Sequence, residues 1–191
     1  LKGQSPYSAS KIAADQMVYA YHCSFNLPVT TARPFNTFGP RQSCRAVLPT
    51  IITQLARGED SIRLGDLTPT RDFNYVEDTV SGMIEIASND KLFGETTNIG
   101  SGFEVSIGDL VKMIATRMNK DIKIVQDESR LRPKKSEVQR LLGCSEKLRT
   151  LTGWAPVYSG EENFEKGLKR TIDWFANEEN LKKYKANIYN V

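Results

Sequence analysis

SPYSASKIAADQMVYAYHCSFNLPVTTARP, Ser5 to Pro34, decides the fold. Ile12, Ala13, Met17, Ala20 and Tyr21 recur at helical spacing, with Ser5 placed as N-cap and Pro6 at the first helical position, which predicts a helix from Tyr7 to about Phe25. Asn26-Leu27-Pro28 breaks it. Val29 to Arg33 is a short run rich in β-branched residues, closed by Pro34, and reads as a buried strand. A helix feeding such a strand points to parallel α/β architecture.

Working outward, Pro40 to Ala46 reads as a loop, Leu48 to Ala56 as a helix ended by Gly58, and Ser61 to Leu64 as a short strand. Arg71 to Val76 alternates like a strand, and Glu77-Asp78 then open a helix to about Ala87, where acids suit the first turn. Thr96 to Ile99 reads as a strand, Ser106 to Met118 as a helix, Ile122 to Val125 as strand-like, Ser145 to Leu151 as a short helix and Glu161 to Asn177 as the last long one. The segments between Pro40 and Ser61 and after Ile122 read as insertions outside a sheet. The expected fold class is α/β: part of a doubly wound, Rossmann-like parallel sheet plus a small mixed α/β cap.

Composition narrows the function. At 191 residues and 39% hydrophobic content, the chain can bury a core. Its 26 Lys and Arg against 23 Asp and Glu are scattered, which argues against a nucleic-acid binder driven by counterion release. Anionic small molecules remain possible partners. Cys23, Cys44 and Cys144 have no metal-type spacing, and their odd count favours free thiols in a reducing, cytoplasmic setting. No apolar run approaches the ~20 residues of a membrane helix.

Three motifs carry chemistry. Tyr7 and Lys11 stand at i and i+4, on one helix face, where both reach one ligand. Tyrosine titrates near pH 10, and a neighbouring ammonium favours the phenolate, so such a pair suits acid-base work, although the same spacing also arises by chance with the tyrosine packed. ARPFNTFGPRQ, Ala32 to Gln42, follows the predicted strand, and the crevice beyond the carboxyl ends of parallel strands is where ligands lie, so Asn36 faces a polar ligand there. An Asn-containing turn punctuated by Gly39-Pro40 is the plainer alternative. In GDLTPTRDFNYVED, Arg71 leads a strand, and Arg132 in RLRPKKSEV is a second guanidinium that suits a pyrophosphate; taken singly, each also fits a surface salt bridge.

Other signals carry less. Asn98 to Gly102 resembles a dinucleotide fingerprint, but Val105 stands where the third glycine belongs, so it reads as a tight strand-to-helix turn. His22 reads as a helix-end cation or surface residue, and Trp154 and Trp174 as core.

Taken in order, Tyr7-Ser-Ala-Ser-Lys11, Arg33-Pro-Phe-Asn36-Thr-Phe-Gly-Pro40-Arg-Gln, Arg71-Asp-Phe-Asn-Tyr-Val-Glu-Asp78, Asn98-Ile-Gly-Ser-Gly102, Arg132-Pro133 and Leu151-Thr-Gly-Trp154-Ala-Pro156 resemble the extended short-chain dehydrogenase/reductase superfamily, specifically its NAD-dependent nucleotide-sugar epimerases and 4,6-dehydratases. The resemblance implies that Tyr7 is the base at the sugar 4-hydroxyl, that Lys11 favours its phenolate and bonds the nicotinamide ribose, and that Pro34 and Phe35 border the nicotinamide. It implies Asn36 at the substrate phosphates, Arg71 and Arg132 as the pyrophosphate clamp, Leu48 and Leu64 at the nucleotide base, and Glu137 at its ribose. The cofactor implied is NAD and no metal is called for.

Within the superfamily, PFNTFGPRQS, LGDLTPTRDFNYVEDT and the ending from Asn180 to Asn190 are similar to dehydratases acting on UDP-N-acetylglucosamine or a close relative in nonulosonic-acid and other surface-sugar pathways. The 4-epimerases are the nearest rival, and a non-catalytic nucleotide-sugar-binding fragment is the alternative of another class. The resemblance further implies residues 1–40 and 71–105 in the cofactor domain, 41–70 and 106–191 in the substrate-binding region, and a homodimer. The family's glycine-rich phosphate turn belongs before Tyr7, so the expectation is a carboxyl-terminal portion of a longer enzyme, inactive alone and prone to self-association. Cys144 stands where the family usually has aspartate, and Lys134-Lys135 where Gly-Asp is common.

Overall fold

The computed structural model describes residues 3–131, 133 and 135–184. Helix α1 (Pro6–Phe25) starts as its sequence dictates: the Ser8 N–H donates to Ser5 Oγ at 3.1 Å and the Ser5 N–H to Ser8 Oγ at 2.9 Å, a reciprocal cap. It ends at Asn26, whose φ of 52° is left-handed and whose N–H reaches the His22 carbonyl. His22 is part of this ending: its Nδ1 donates to the Leu27 carbonyl at 2.8 Å, and its ring fills the space a side chain at Gly94 would need. No side chain of α1 is buried; Tyr7, Met17 and Phe25 are 72%, 61% and 68% exposed.

β1 (Thr31–Pro34) and β2 (Asn36–Phe38) form one nearly continuous extended segment that changes partner at Phe35. After them come α2 (Val47–Ala56), β3 (Ser61–Leu64), β4 (Thr70–Tyr75), α3 (Val76–Ala87), β5 (Thr96–Ile99), β6 (Glu104–Ser106), α4 (Ile107–Arg117), β7 (Lys123–Gln126), β8 (Arg140–Leu141), α5 (Glu146–Thr152), α6 (Gly160–Ala176) and α7 (Glu178–Leu181). β1 runs parallel to β5, with Thr31 opposite Thr96, and β2 parallel to β4, with Asn36 opposite Phe73. β3 and β7 make a separate parallel pair. The first half of β4 is paired on both sides, antiparallel to β6 and parallel to β8. Parallel pairs connected through helices make the architecture α/β, as expected.

Two expectations are corrected. Asn98 to Gly102 does not lead straight into a helix: Gly102, at φ 73°, turns the chain back into β6 before α4 begins. The cause is Asp72, whose carboxylate accepts the Ser101 and Gly102 N–H groups at 3.0 and 2.9 Å and draws the turn against β4. The region after Ile122 is not wholly outside the sheet either, because β8 pairs with β4 and Arg140 on it bonds Glu104 on β6 at 2.6 Å.

One apolar cluster joins the sheet to three helices: Phe38, Phe73 and Tyr75 pack against Leu48, Ile51, Ile52 and Leu55 of α2, Leu110 and Ile114 of α4, and Phe164, Leu168 and Phe175 of α6. Each fully buried side chain of this size contributes roughly 1.5–3 kcal/mol. Gly167 lets α6 approach closely, since a Cβ there would meet Tyr75 Cδ2 at 2.9 Å. A smaller cluster of Ile86, Leu92, Ile99, Leu148 and Trp154 fills the other side, while Trp174 is half-buried and packs edge-on to Phe175.

Asp78, buried in the first turn of α3, ties the carboxyl-terminal segment to this frame by accepting the Val157 and Tyr158 N–H groups at 2.8 Å each. Burial pushes its carboxyl above the ordinary aspartate range, against the lowering effect of those two bonds. With the folded value raised, the native state keeps a proton that the unfolded chain releases from about pH 3.9 upward, so the Asp78 contribution to stability falls as pH rises through that window. Urea midpoints measured across mildly acidic pH are expected to carry this slope in the wild type and to lose it in Asp78→Asn; an unchanged slope would remove Asp78 as its source.

Candidate functional site

The carboxyl end of β3, the middle of β4, the start of β2, the first turn of α2 and the segment before β8 enclose a cavity of about 550 Å³, a size usual for small-molecule sites. Asn36, Leu48, Leu64, Arg71 and Glu137 all line it. Leu48 is fully buried and Leu64 nearly so, which gives the cavity an apolar side for a flat ring. Opposed in chemistry stands Arg71, whose Nη1 donates to the Thr70 carbonyl at 2.9 Å and whose Nη2 pairs with Glu137 Oε1 at 2.7 Å. Both side chains of that pair are only 13% exposed, so it is not the ordinary surface salt bridge of the plainer reading.

Other polar groups on the wall were not singled out in the sequence. Gln42 donates from Nε2 to the Thr37 carbonyl at 2.7 Å, and its Oε1 is buried with no hydrogen-bond partner among the described residues. Arg45 lines the cavity, is exposed, and makes no ion pair among the described residues. Arg130 also lines it and pairs with Asp127 at 3.1 Å. Asp66, the second acid on the wall, is committed locally: the Thr68 N–H and hydroxyl donate to it at 2.9 and 2.8 Å and hold its carboxyl below the usual range. Signals for these residues existed only as proximity in sequence to Asn36, Arg71 and, for Arg130, Arg132.

Behind the wall lies Asp72, wholly buried. It accepts from the Ser101 N–H and hydroxyl, the Gly102 N–H and the Gly143 N–H, at 3.0, 2.6, 2.9 and 3.0 Å. It thereby holds Gly143, two residues beyond the cavity residue Leu141, against the strand that carries Arg71.

Tyr7, Lys11, Pro34 and Phe35 do not line this cavity. Lys11 Nζ stands 5.5 Å from the centroid of the Tyr7 ring on the exposed face of α1. Pro34 is exposed at the end of β1, and the Phe35 N–H donates to the Ile99 carbonyl at 2.9 Å. Arg132 lies outside the described residues. Among the described residues no group of three His, Cys, Asp or Glu could hold a metal, and no helix is long and apolar enough to cross a membrane. Cys23, Cys44 and Cys144 are free thiols.

Parallel strands joined through helices, with an Arg-bearing cavity at the start of β2 and the carboxyl end of β3, fit the class that the likeness to solved structures shows: a Rossmann-like extended short-chain dehydrogenase/reductase. The family model described as GDP-mannose 4,6 dehydratase matches residues 1–169, and the chain belongs to that family. It is 32% identical over 158 residues to GDP-6-deoxy-D-mannose reductase of Pseudomonas aeruginosa, covering 80% of this chain and 51% of that protein. dTDP-glucose 4,6-dehydratase from Bacillus anthracis, solved with NAD, superposes at a TM-score of 0.79 with 31% identity over 92% of this chain and 53% of that one. UDP-glucuronic acid 4-epimerase from Bacillus cereus, solved with UDP-glucuronic acid and NAD, superposes at 0.80 with 26% identity over 94% and 53%. The chain spans about half the length of the curated relatives it matches, 51% and 49% for two of them.

Proposed function

We propose that this chain supplies the acid-base pair and the nucleotide-sugar cavity of an NAD-dependent 4,6-dehydratase acting on UDP-N-acetylglucosamine or a close relative. The observation that carries the reading is the single cavity that gathers Asn36, Leu48, Leu64, Arg71 and Glu137, five residues drawn from 102 positions of sequence, Asn36 through Glu137. Arg71 is the cation for the diphosphate, with Arg132 as its partner, Asn36 a donor to the same oxygens, Leu48 and Leu64 the borders of the base, and Glu137 the acceptor for ribose hydroxyls.

The exposed phenol and ammonium on one helix face fit a nicotinamide ribose, which needs both a donor and an acceptor at its hydroxyls. Lys11 would hold that ribose, and Pro34 and Phe35 would border the ring. NAD held there would supply hydride chemistry, as acceptor from C4 of the sugar and as donor to C6 when C5 regains a proton. Tyr7 takes the proton of the 4-hydroxyl, and the 4-keto group then acidifies C5, so that water leaves across C5 and C6. We assign residues 1–40 and 71–105 to the cofactor domain, 41–70 and 106–191 to the substrate region, and the assembled enzyme to a cytoplasmic homodimer in surface-polysaccharide synthesis. The glycine-rich cofactor half is required for turnover, and the 191-residue chain binds without catalysing. A 4-epimerase is the second reading, favoured by the likeness to the UDP-glucuronic acid enzyme.

The test is incubation of the enzyme assembled with its cofactor half with NAD⁺ and UDP-N-acetylglucosamine, followed by mass spectrometry. Loss of one water from the sugar nucleotide is expected. An isomer of unchanged mass would transfer the assignment to epimerase, and neither binding nor product would overturn the reading.

A further inference from the structure

We infer that Glu137 is a selectivity filter: it neutralises Arg71 and so rejects bare anions, yielding only to a ligand that brings both a diphosphate for the guanidinium and hydroxyl donors for the carboxylate. The inference rests on the nucleotide-sugar reading of the cavity. Arg71 and Glu137 are 66 residues apart in sequence, yet they meet at 2.7 Å on the wall of that cavity. At 13% exposure each, the pair is sheltered from salt screening, and withdrawing one partner leaves the other as an uncompensated, poorly solvated charge.

Two ligand types therefore meet different resistance. Inorganic pyrophosphate approaching Arg71 must either share the guanidinium beside a like-charged carboxylate or displace it, and it offers Glu137 nothing in return. A nucleoside diphosphate also takes the guanidinium, but its sugar hydroxyls donate to the carboxylate and replace the lost N–H. Neither charge is then left unpaired, and discrimination follows from the cost imposed on the wrong ligand. The second acid on the wall cannot do this, because Asp66 is already committed to Thr68. Local structure lets Glu137 yield: its segment is a turn in which the Ser136 and Glu137 N–H groups both donate to the Pro133 carbonyl, at 2.8 and 3.2 Å, and regular pairing begins only at Arg140. The carboxylate can swing without unmaking a strand.

The experiment is calorimetric titration of the full chain and of Glu137→Gln with inorganic pyrophosphate and, separately, with UDP. The wild type is expected to bind UDP and to bind pyrophosphate at least about tenfold more weakly; in Glu137→Gln pyrophosphate affinity rises roughly tenfold while UDP affinity does not rise with it. Glu137→Asp, which keeps the charge, retains the discrimination. UDP binding with pyrophosphate affinity unmoved by Glu137→Gln overturns the filter and leaves the nucleotide-sugar reading intact. A pyrophosphate gain without UDP binding in either protein overturns the nucleotide-sugar reading instead, and loss of both ligands overturns both. If circular dichroism finds Glu137→Gln unfolded, Glu137→Ala is read by the same criteria.

Discussion

Asp72→Ala lowers the unfolding free energy by at least about 3 kcal/mol, measured as a shift in urea midpoint at constant slope. The carboxylate is completely buried, yet it is fully employed: one oxygen takes the Ser101 N–H and hydroxyl, the other the Gly102 and Gly143 N–H groups. Hydrogen bonds to an ionised acceptor are stronger than neutral ones, which is why a buried charge is tolerable here. Alanine removes the acceptor and leaves the buried Ser101 and Gly143 N–H groups with no partner, and the Ser101 hydroxyl loses its 2.6 Å bond, while the Gly102 N–H can turn to water. Asp72→Asn is expected to recover little, because an amide has one acceptor oxygen and would turn an NH₂ toward two donors. The site is also too tight for rearrangement: a Cβ at Gly143 would lie 2.9 Å from Asp72 Oδ2 and 3.0 Å from Gly100 Cα. A loss below about 1 kcal/mol would mean that water enters and satisfies those donors.

The second large effect concerns chemistry without stability. Under the proposed function, Tyr7→Phe lowers turnover of the assembled enzyme by about 10²- to 10⁴-fold, the usual contribution of a positioned acid-base group. UDP-sugar affinity stays within severalfold, because Tyr7 does not line the cavity around Arg71. Thermal stability is likewise unmoved, since the side chain is 72% exposed and its hydroxyl is not needed for any packing of α1. Undiminished turnover would remove Tyr7 from the mechanism, whereas a fall in melting temperature would assign the residue a structural part.

Helices were legible in the sequence because their signals are local. Ser5, Pro6 and Asn26 bracket α1 within its own residues, and Glu77-Asp78 mark the first turn of α3. β2, β6 and β8 were not, being two or three residues long and defined only by the strand beside them. The turn after Ile99 looked like a helix entry because its glycines were visible and the distant Asp72 acceptor was not. At the site, the types and order of Asn36, Arg71 and Glu137 were legible and the resemblance placed all three around one nucleotide sugar, but the direct pairing of Arg71 with Glu137 was not legible. Nothing near Arg71 tells that a glutamate 66 residues later will claim its guanidinium. Asp72 carried no signal in the sequence beyond its place next to Arg71, since burial is a property of the fold and not of the residue.

The same nonlocality governs how the chain assembles itself. β1 finds its partner in β5, where Thr30 already bonds Glu95 across 65 residues, and Asp72 waits for Gly143 across 71. Closing loops of that length costs configurational freedom before any contact rewards it. Helix α1 can wind within a microsecond or so of being made, but the sheet beside it is completed only after β8 has been synthesised. Through that interval β4 carries open hydrogen-bonding edges, so the slow step of folding and the opportunity for mispairing with another chain fall on the same strand.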